Sequence, residues 1–415
     1  YHPSRFLRGP PTDLFRDNLL PDQKYATGWI GGGWTNDWMT YINVIFLAQI
    51  TNRIPIIGPF VPSHVGNGEE AGFVPFGDVF DVPRLAEAMH FPLLEWRDVK
   101  KPTVPGADRE TFGGWTAWSR WDSIRRGLPR GNQVEGNLSL EVSYTPVHKS
   151  AKLPIDWDYS HVSLMELARL AYLPGREAAL LESPEPFVSE GPNAVRIPPD
   201  HHLLCLDFLY YASILQPFEW DAEYFLPWSK IGTHTHFTPR MTSLAQEYLM
   251  RLFHVDNKED IPPFISVHLR HGDFKGTCAP NVSLKECFAP LPVVAVRVDE
   301  IQAELGARPQ FQEVGGGPAK LPIVLTSDEQ DPEWWDDVRS RGWLFVDHGP
   351  DGEDTKNKLG RWYPVFIDAV IQSMGHGFVG TWGSTMSVMS QRRVEDWQKG
   401  ATRLVRFGYP GADDH

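Results

Sequence analysis

The chain has 415 residues, which is enough for at least two domains with sizeable cores. Hydrophobic residues make up 41% of it, and 16 Trp, 12 Tyr and 23 Phe exclude a globally disordered polypeptide. The formal net charge of −14 disfavours a nucleic-acid partner, because the average field of the protein repels a polyanion. No apolar run is long enough to cross a bilayer, and the chain begins without a signal region, so we expect that any leader or membrane anchor has been removed.

The cysteines and two glycosylation sequons indicate an oxidising compartment. Cys278 and Cys287 have a spacing that suits a small disulfide loop, which leaves Cys205 over. Asn-x-Ser sequons begin at Asn137 and Asn281. Together these features predict a protein of the secretory lumen, in the endoplasmic reticulum or the Golgi.

The N-terminal part has the pattern of a parallel α/β unit. An apolar run at residues 25–30 is followed by three glycines, a predicted helix at 35–51 and a predicted strand at 53–57. The region around 101–200 has no clear periodicity, and we predict loops and short helices inserted into the first domain. This N-terminal, acceptor-side domain is predicted to span residues 1–235.

A second α/β series follows, with predicted helices at residues 243–253 and 363–374. We expect a second domain at 236–398 and a C-terminal tail at 399–415. The predicted fold class is therefore α/β, with two facing Rossmann-like domains and a ligand in the cleft beyond the carboxyl ends of their strands. Four apolar runs are predicted as buried strands of this domain: residues 264–269, 322–325, 343–346 and 377–380.

Arg270 follows directly after a predicted buried strand, with Asp273 three residues later. The guanidinium of Arg270 stays charged and presents a planar fork that suits a phosphate or diphosphate. The alternative is an ion pair between Arg270 and Asp273 that closes the loop. The position at the strand end leaves both interpretations open.

Ser384 or Thr385 is placed to cap a helix that follows the predicted strand at 377–380. The free N–H groups and the positive dipole end of such a helix attract phosphate. The alternative is a capped helix that binds nothing.

Asp368 lies inside the predicted helix at 363–374, beside apolar residues, and its carboxylate therefore needs a partner. The N1 and N2 donors of guanine would supply two parallel N–H groups. A salt bridge to Arg361 or another nearby cation is the alternative, and the spacing does not decide between them.

The turn at Gly32 and Gly33, with Asn36 after it, would let the backbone approach a ligand closely. It is not a P-loop, because no Gly-Lys-Ser or Gly-Lys-Thr ending follows, and neither half contains a GxGxxG dinucleotide fingerprint after a strand. P-loop ATPases and NAD-dependent enzymes are therefore disfavoured.

Two short patterns resemble metal sites, but we predict no bound metal. Asp156 and Asp158 form an Asp-x-Asp pair in an irregular segment, which we interpret as a solvated loop. His234 and His236 supply two ligands without an evident third one nearby.

Taken together, these motifs resemble the GDP-fucose O-fucosyltransferase superfamily. The resemblance covers residues 25–81 and 228–397 and leaves the middle third unmatched. Besides Asp368, it is carried by five motifs: Gly32-Gly33-x-x-Asn36, Phe76-x-x-x-Phe80-Asp81, His268-x-Arg270, Thr326-Ser327-Asp328 and Gly380-x-x-x-Ser384-Thr385-Met386.

The resemblance implies a GT-B fold in which the second domain holds most of the donor. It also implies an inverting, metal-independent transfer of L-fucose from GDP-β-L-fucose to a hydroxyl of a protein or glycan. Arg270 would bind the diphosphate and stabilise the charge that develops on the GDP leaving group, and Asp368 would bind guanine. The remaining donor-site residues that it implies or that adjoin its motifs are Gly32, Gly33, Trp34, Asn36, His268, Asp273, Ser384, Thr385 and Met386.

The sequence departs from the family at Gly33, where relatives that modify protein Ser or Thr carry an Arg or Glu implicated in catalysis. No general base is carried over, so Asp37 and then Asp273 are the nearest carboxylates for that role. The alternative role of Asp37 is a favourable charge in the first turn of its helix. Two other functions stay open: a catalytically inactive GDP-sugar- or carbohydrate-binding protein, and a metal hydrolase that uses His234 and His236.

Overall fold

Two parallel sheets organise the computed structural model, one in each of two units, Tyr1–His236 and Phe237–His415. Each unit alternates strands with helices, as the sequence predicts for an α/β protein. The structure describes residues 1–413 except 64, 66–67, 104–108, 119–128, 131, 154–160, 184, 190–193 and 313–318.

The first unit contains a six-stranded sheet with the order β3-β2-β1-β7-β4-β5, and a short parallel pair formed by β6 and β8. All neighbours in the six-stranded sheet are parallel. The strands are β1 (Tyr25–Gly28), β2 (Ile54–Ile57), β3 (Leu94–Glu95), β4 (Glu110–Thr116), β5 (Leu140–Pro146), β6 (Val162–Ser163), β7 (Leu203–Leu206) and β8 (Ala212–Ser213).

The helices of this unit pack around the sheet, and the longest described helix is buried along most of its length. It packs against β1 and β2, and its polar residues Thr40 and Asn43 are buried together with the apolar ones. The helices are α1 (Phe15–Asn18), α2 (Trp34–Ile50), α3 (Gly68–Ala71), α4 (Phe76–Val79), α5 (Val82–Met89), α6 (Trp96–Val99), α7 (Asn132–Asn137), α8 (Leu164–Arg169), α9 (Leu173–Glu182) and α10 (Leu226–Lys230).

The close packing of α2 on β1 depends on a glycine at the end of the strand. A Cβ atom at Gly28 would lie 2.4 Å from the Cγ2 atom of Val44, which is closer than real Cβ atoms approach. Any side chain at Gly28 would therefore push α2 away from the sheet and move the loop that follows β1.

The prediction for residues 101–200 is wrong in one respect, because β4 and β5 belong to the main sheet of the first unit. Strand β5 does alternate apolar and polar residues from Leu140 to Thr145, a strand signal that the prediction missed, whereas β4 has no such alternation. In β4, Gly113 packs closely against the backbone: a Cβ atom there would lie 2.0 Å from the carbonyl oxygen of Pro198. A glycine is needed for this contact, although it weakens the strand signal in the sequence.

The second unit contains a five-stranded parallel sheet with the order β11-β10-β9-β12-β13. The four predicted strands are confirmed as β9 to β12. The strands are β9 (Ile265–Leu269), β10 (Ile323–Ser327), β11 (Leu344–Phe345), β12 (Gly377–Thr381) and β13 (Ala401–Val405).

The helices of the second unit cover this sheet, and α13 packs against β12 and β13. The predicted helix at 243–253 begins earlier, at Pro239, because the Thr238 side chain caps it by accepting the Met241 N–H. The helices are α11 (Pro239–Phe253), α12 (Leu284–Cys287), α13 (Leu291–Gly306), α14 (Pro332–Ser340), α15 (Glu353–Leu359), α16 (Tyr363–Met374) and α17 (Thr385–Trp397).

The predicted C-terminal tail at 399–415 is wrong for its first part, which forms β13 at the edge of the sheet. An edge strand of five residues with Thr402 and Arg403 near its centre gives little apolar signal. Arg403 in this strand binds Glu300 of α13, with 2.9 Å between Nε and Oε2. Farther along, Asp413 binds the Nε atom of Arg297 at 3.0 Å, so the chain after β13 is also attached to α13.

The predicted disulfide between Cys278 and Cys287 is confirmed, and Cys205 is free and buried in β7. Both predicted glycosylation sites, Asn137 and Asn281, are exposed. Within the described part of the chain, every helix is too short or too polar to span a membrane.

Candidate functional site

The order of the strands in the second sheet creates a switch point between β9 and β12. The chain continues from β9 to β10 on one side, and it returns to add β12 and β13 on the other. Ligands of open parallel sheets bind at the carboxyl ends of the strands beside such a point. Arg270 follows β9 and Ser384 follows β12, so the fold brings two of the predicted motifs to this point.

Thr381 connects the ends of the two strands through its side chain. Its hydroxyl accepts the Arg270 N–H at 2.9 Å and donates to the His268 carbonyl at 3.3 Å. Ser387 of α17 in turn accepts the Thr381 N–H at 3.0 Å. The backbone on both sides of the switch point is therefore fixed by side-chain hydroxyls.

His268 contacts α17 through its ring. Its Nδ1 atom lies 2.8 Å from the Ser387 hydroxyl, and the residue is buried. Burial, together with the positive charge of Arg270, lowers the pKa of His268 to about 3. The ring is therefore neutral at physiological pH, and its contact with Ser387 gives it a structural role.

The guanidinium of Arg270 is bound by two carboxylates. Its Nη2 atom lies 2.8 Å from Asp273, and its Nη1 atom contacts Asp328. The ion pair between Arg270 and Asp273, one of the two interpretations that the sequence left open, is thus observed. Asp328 is a second carboxylate partner that was not predicted. The Arg270 side chain is 30% exposed, whereas that of Asp273 is 57% exposed. A diphosphate that binds this fork would first have to displace the more exposed of the two partners, Asp273.

Asp328 also holds the backbone of the loop after β9. It accepts the N–H of His271 at 2.7 Å, and it packs directly against Gly272. A Cβ atom at Gly272 would lie 2.2 Å from the Asp328 carboxylate. The motif that contains Asp328 was recognised in the sequence, but its role was not, because the contact joins residues 58 positions apart.

A small cavity, with room for about one water molecule, adjoins Arg270. His271 faces it and is held by Glu329, with 2.6 Å between Nδ1 and Oε2, and by stacking on Phe288 at a ring distance of 4.3 Å. Burial acts to raise the pKa of Glu329, but hydrogen bonds from backbone N–H groups and from His271 lower it overall. The cavity is lined by Leu269, Arg270, His271, Phe288, Ala289, Thr381, Val405 and Phe407.

The N-terminus of α17 is capped by Ser384, whose hydroxyl accepts the Ser387 N–H at 3.5 Å. The first turn of α17 contains no acidic residue, so its positive dipole end is not neutralised locally. Thr385 and Met386 are half-buried, and Trp382 just before the cap is half-exposed. The predicted helix start is confirmed, while phosphate binding stays a prediction.

Asp368 has a histidine partner. Its Oδ1 atom lies 2.8 Å from the Nε2 atom of His348, which follows β11. This partner differs from Arg361, the cation named from the sequence. The carboxylate remains 18% exposed, so a ligand can reach it.

The first sheet has its own switch point, between β1 and β7. The glycine turn follows β1, and Asp37 fixes it by accepting the N–H groups of Gly31 and Gly32 at 3.1 and 2.8 Å. Burial raises the pKa of Asp37 well above its usual value, although these two hydrogen bonds lower it. Its carboxyl group is fully buried, so the geometry supports the positioning of the turn and places the group out of reach of an acceptor.

Arg130 binds the same glycine turn through a backbone carbonyl. Its Nη2 and Nε atoms donate to the Gly31 carbonyl at 2.6 and 3.0 Å. The guanidinium is sandwiched between Trp118 and Phe208, 4.6 and 4.5 Å from the ring centroids. Arg130 was not predicted, because it lies in the region without periodicity.

Asp207 follows β7 directly and was also not predicted. Its carboxylate accepts the N–H groups of Ala117 at 2.7 Å, Trp118 at 3.2 Å and Arg130 at 3.3 Å, together with the Thr116 hydroxyl. Burial raises the pKa of Asp207 to about 6 despite these bonds. The detectable signal was a carboxylate immediately after a buried strand, the same signal that singled out the segment after β9.

The other predicted residues of the first unit lie either in the hydrophobic core or in the glycine turn after β1. Trp34 is buried against Phe80, with stacked rings 6.2 Å apart, so the structure places it in the core. Gly33 caps α2 in an extended conformation, and Asn36 packs against Gly32. Gly33 and Asn36 are half-buried, so they are the predicted residues of this turn that a ligand can contact.

The metal hypothesis gains no support from the part of the chain that the structure describes, where no group of three His, Cys, Asp or Glu residues is arranged to hold an ion. His234 and His236 lie at the end of the first unit. Asp156 and Asp158 lie outside the described residues.

The comparison with solved structures identifies the fold. No family model and no curated protein sequence matches the chain. POFUT1 in its apo form matches with a TM-score of 0.54 and 14% identity, over 94% of this chain and 99% of that one. POFUT1 in complex with GDP-fucose matches with a TM-score of 0.52 and 13% identity over the same shares, 94% and 99%. The predicted α/β class is thereby confirmed: the chain has the GT-B fold of the POFUT1 crystal structures.

Proposed function

We propose that the protein is a glycosyltransferase that uses a GDP-sugar, GDP-β-L-fucose, and transfers the sugar to a hydroxyl of a protein or glycan. One observation carries the proposal: Arg270 and the capped N-terminus of α17 meet at the switch point between β9 and β12. The fold supports it, because POFUT1 with this fold has been crystallised with GDP-fucose.

In this proposal, Arg270 and the N-terminus of α17 bind the diphosphate. Negative charge builds on the GDP leaving group as the glycosidic bond breaks, and a fixed guanidinium and helix dipole stabilise that charge without a proton transfer. We propose a metal-independent reaction because these two groups supply the positive charge at the leaving group. Asp368 would accept the N–H groups of guanine, and Met386 would pack at the nucleotide.

The acceptor hydroxyl must lose a proton in an inverting displacement. Of the two carboxylates named from the sequence, Asp37 is buried and bound to its own turn, so we propose that it positions that turn for the sugar and diphosphate. Asp273 is accessible, which makes it the better candidate for the base. Gly33 and Asn36 would contact the sugar or diphosphate from the same turn.

We further propose that the protein works in the secretory lumen, in the endoplasmic reticulum or the Golgi. The disulfide between Cys278 and Cys287 supports an oxidising compartment. The exposure of Asn137 and Asn281 supports glycosylation at both sequons.

A second candidate is a GDP-sugar-binding protein that has lost turnover. It is favoured by Gly33, which replaces the residue implicated in catalysis in the family, and by the burial of Asp37. This candidate shares the nucleotide site, so only a measurement of turnover distinguishes it from the enzyme.

The nucleotide assignment is tested by thermal unfolding with GDP, ADP and UDP. We expect GDP to raise the melting temperature of the protein more than ADP or UDP, and Arg270→Ala to abolish the shift. Arg308→Ala is the matched control, because the Arg308 side chain is also 30% exposed and pairs with a carboxylate, Glu304. Equal shifts with the three nucleotides, or an undiminished shift in Arg270→Ala, would remove the proposed donor site.

A further inference from the structure

Four side chains from separate elements form a continuous hydrogen-bonded chain that ends on Asp368. The Nε2 atom of His348 lies 2.8 Å from Asp368, and its Nδ1 atom lies 3.0 Å from the Thr355 hydroxyl. The Tyr248 hydroxyl contacts the Thr355 hydroxyl. These residues come from α16, the segment after β11, α15 and α11, so the chain is a product of the tertiary fold.

The chemistry of the four groups sets the direction of the hydrogen bonds. A carboxylate only accepts, so the proton of a singly protonated imidazole lies on Nε2 of His348. Nδ1 is then an acceptor, and Thr355 must donate to it. Tyr248 in turn donates to Thr355. Every donor in this chain thus points toward the carboxylate.

The imidazole is held in place by packing as well as by these bonds. The rings of His348 and Tyr248 are 5.3 Å apart, and the Arg251 guanidinium covers the Tyr248 ring at 4.2 Å. The side chain of His348 is 11% exposed, so water competes little for its N–H. The position of the donor is therefore set before any ligand arrives.

A fixed N–H donor restricts the Asp368 carboxylate to one orientation. Each carboxylate oxygen has two lone pairs, so Asp368 can accept from His348 and from a ligand at the same time. An oriented carboxylate selects a base edge with two N–H donors and rejects an edge that presents an acceptor.

We propose that His348 is a positioning residue for nucleobase selection, which orients the Asp368 carboxylate to accept the N1 and N2 hydrogens of guanine. This inference rests on the proposed function, because it requires that the base lies against Asp368. It adds a residue that contacts no ligand, and it predicts that selectivity for guanine depends on a hydrogen-bonded chain that reaches Tyr248.

The test is calorimetric titration of the full chain with GDP, IDP and ADP. IDP keeps the N1 hydrogen and lacks the N2 amino group, whereas adenine presents an acceptor at N1. We expect the wild-type protein to bind GDP at least about tenfold more tightly than ADP, with IDP between them. His348→Phe keeps a ring but loses the N–H, so the preference for GDP should fall by about tenfold while the affinity for ADP stays unchanged.

His348→Gln restores an N–H donor and should recover most of the preference, which a purely structural role of the ring would not produce. His376→Phe is the matched control, because His376 lies just before β12, at the amino end of the strand and not at the carboxyl end where the ligand is proposed, and should keep wild-type selectivity. Thr355→Val removes the donor to Nδ1 without approaching the ligand, so it decides the question if His348→Phe does not fold.

The outcomes separate the two proposals. A wild-type protein without preference for GDP would overturn the proposed donor and this inference together. A selective wild-type protein whose preference survives in His348→Phe, or in Thr355→Val if the first variant does not fold, would overturn only the role of His348.

Discussion

Arg270 occupies the position that a nucleotide site requires, yet both donor edges of its guanidinium already contact carboxylates. An exposed ion pair of this kind contributes little free energy, so a ligand with two phosphates can replace it. Asp328 accepts a backbone N–H and packs against Gly272, whereas Asp273 is the more exposed of the two carboxylates. The two carboxylates therefore have different roles: Asp328 orients Arg270, and Asp273 competes with the ligand.

Asp273→Asn should strengthen GDP binding and weaken transfer. The substitution removes a competing charge, so we expect the dissociation constant for GDP to fall by about two- to fivefold. Transfer to an acceptor should decrease if Asp273 is the base. Calorimetry and a transfer assay on the same preparation check both expectations, and weaker GDP binding in the variant would contradict the competing role of Asp273.

Asp207 makes the first unit sensitive to pH. Its pKa rises from 3.8 to about 6 on folding, so the folded state binds the proton more tightly than the unfolded state between these values. The stabilisation is present at low pH and is lost as pH rises through about 6, by about 3 kcal/mol in total. Asp207→Asn cannot titrate and lacks this dependence.

The thermal unfolding of the wild-type protein and Asp207→Asn should therefore converge with rising pH. The variant is destabilised at both low and high pH, because an amide cannot accept all the hydrogen bonds of the carboxylate. The difference in melting temperature should be larger at pH 4.5 than at pH 7.5. A difference that grows with pH would show that Asp207 is ionised in the fold at low pH.

At the scale of elements, two substitutions at Ser384 distinguish the capping of α17 from anion binding at its N-terminus. Ser384→Ala should destabilise the second unit by about 1 kcal/mol through loss of the cap. Ser384→Asp keeps a capping oxygen but adds a negative charge where we propose the diphosphate. We expect Ser384→Asp to melt near the wild-type temperature and to bind GDP at least about tenfold more weakly. Normal GDP binding by Ser384→Asp would place the phosphates elsewhere.

The sequence predicts the elements of the second unit better than those of the first. Strands β9, β10 and β12 are short apolar runs between clear turn residues, so their pattern is easily recognised. Strand β4 contains Gly113 and Gly114, and β13 contains Arg403, so each departs from the apolar pattern for a local reason. The glycine permits a close backbone contact, and the arginine lies at an exposed edge.

Among the site residues, those that directly follow strands can be predicted from the sequence, whereas the residues that bind them cannot. Arg270 and Ser384 are marked by position and residue type, and the family resemblance adds to both. His348 and Asp328 become functional only through contacts with residues that are distant in the sequence, at separations of 20 and 58 positions. Trp34 lies in a recognised motif, but the aromatic core around Phe80 buries it.

At the scale of the whole molecule, the loops that follow the strands are held in the same way in both sheets. Each has a switch point, at β1 and β7 or at β9 and β12, and at each one buried side chains hold the adjoining backbone. Asp37, Asp207 and Thr381 use their oxygen atoms for this purpose. Each sheet therefore has fixed loops at its own switch point.

The release of GDP from GDP-β-L-fucose is the most direct measure of the central claim. The account predicts that the wild-type protein releases GDP by hydrolysis or transfer, and that Arg270→Ala reduces the rate by at least about a hundredfold. Arg308→Ala should retain the wild-type rate. GDP-fucose that binds without any release across a range of acceptors, or an unchanged rate in Arg270→Ala, would contradict the account.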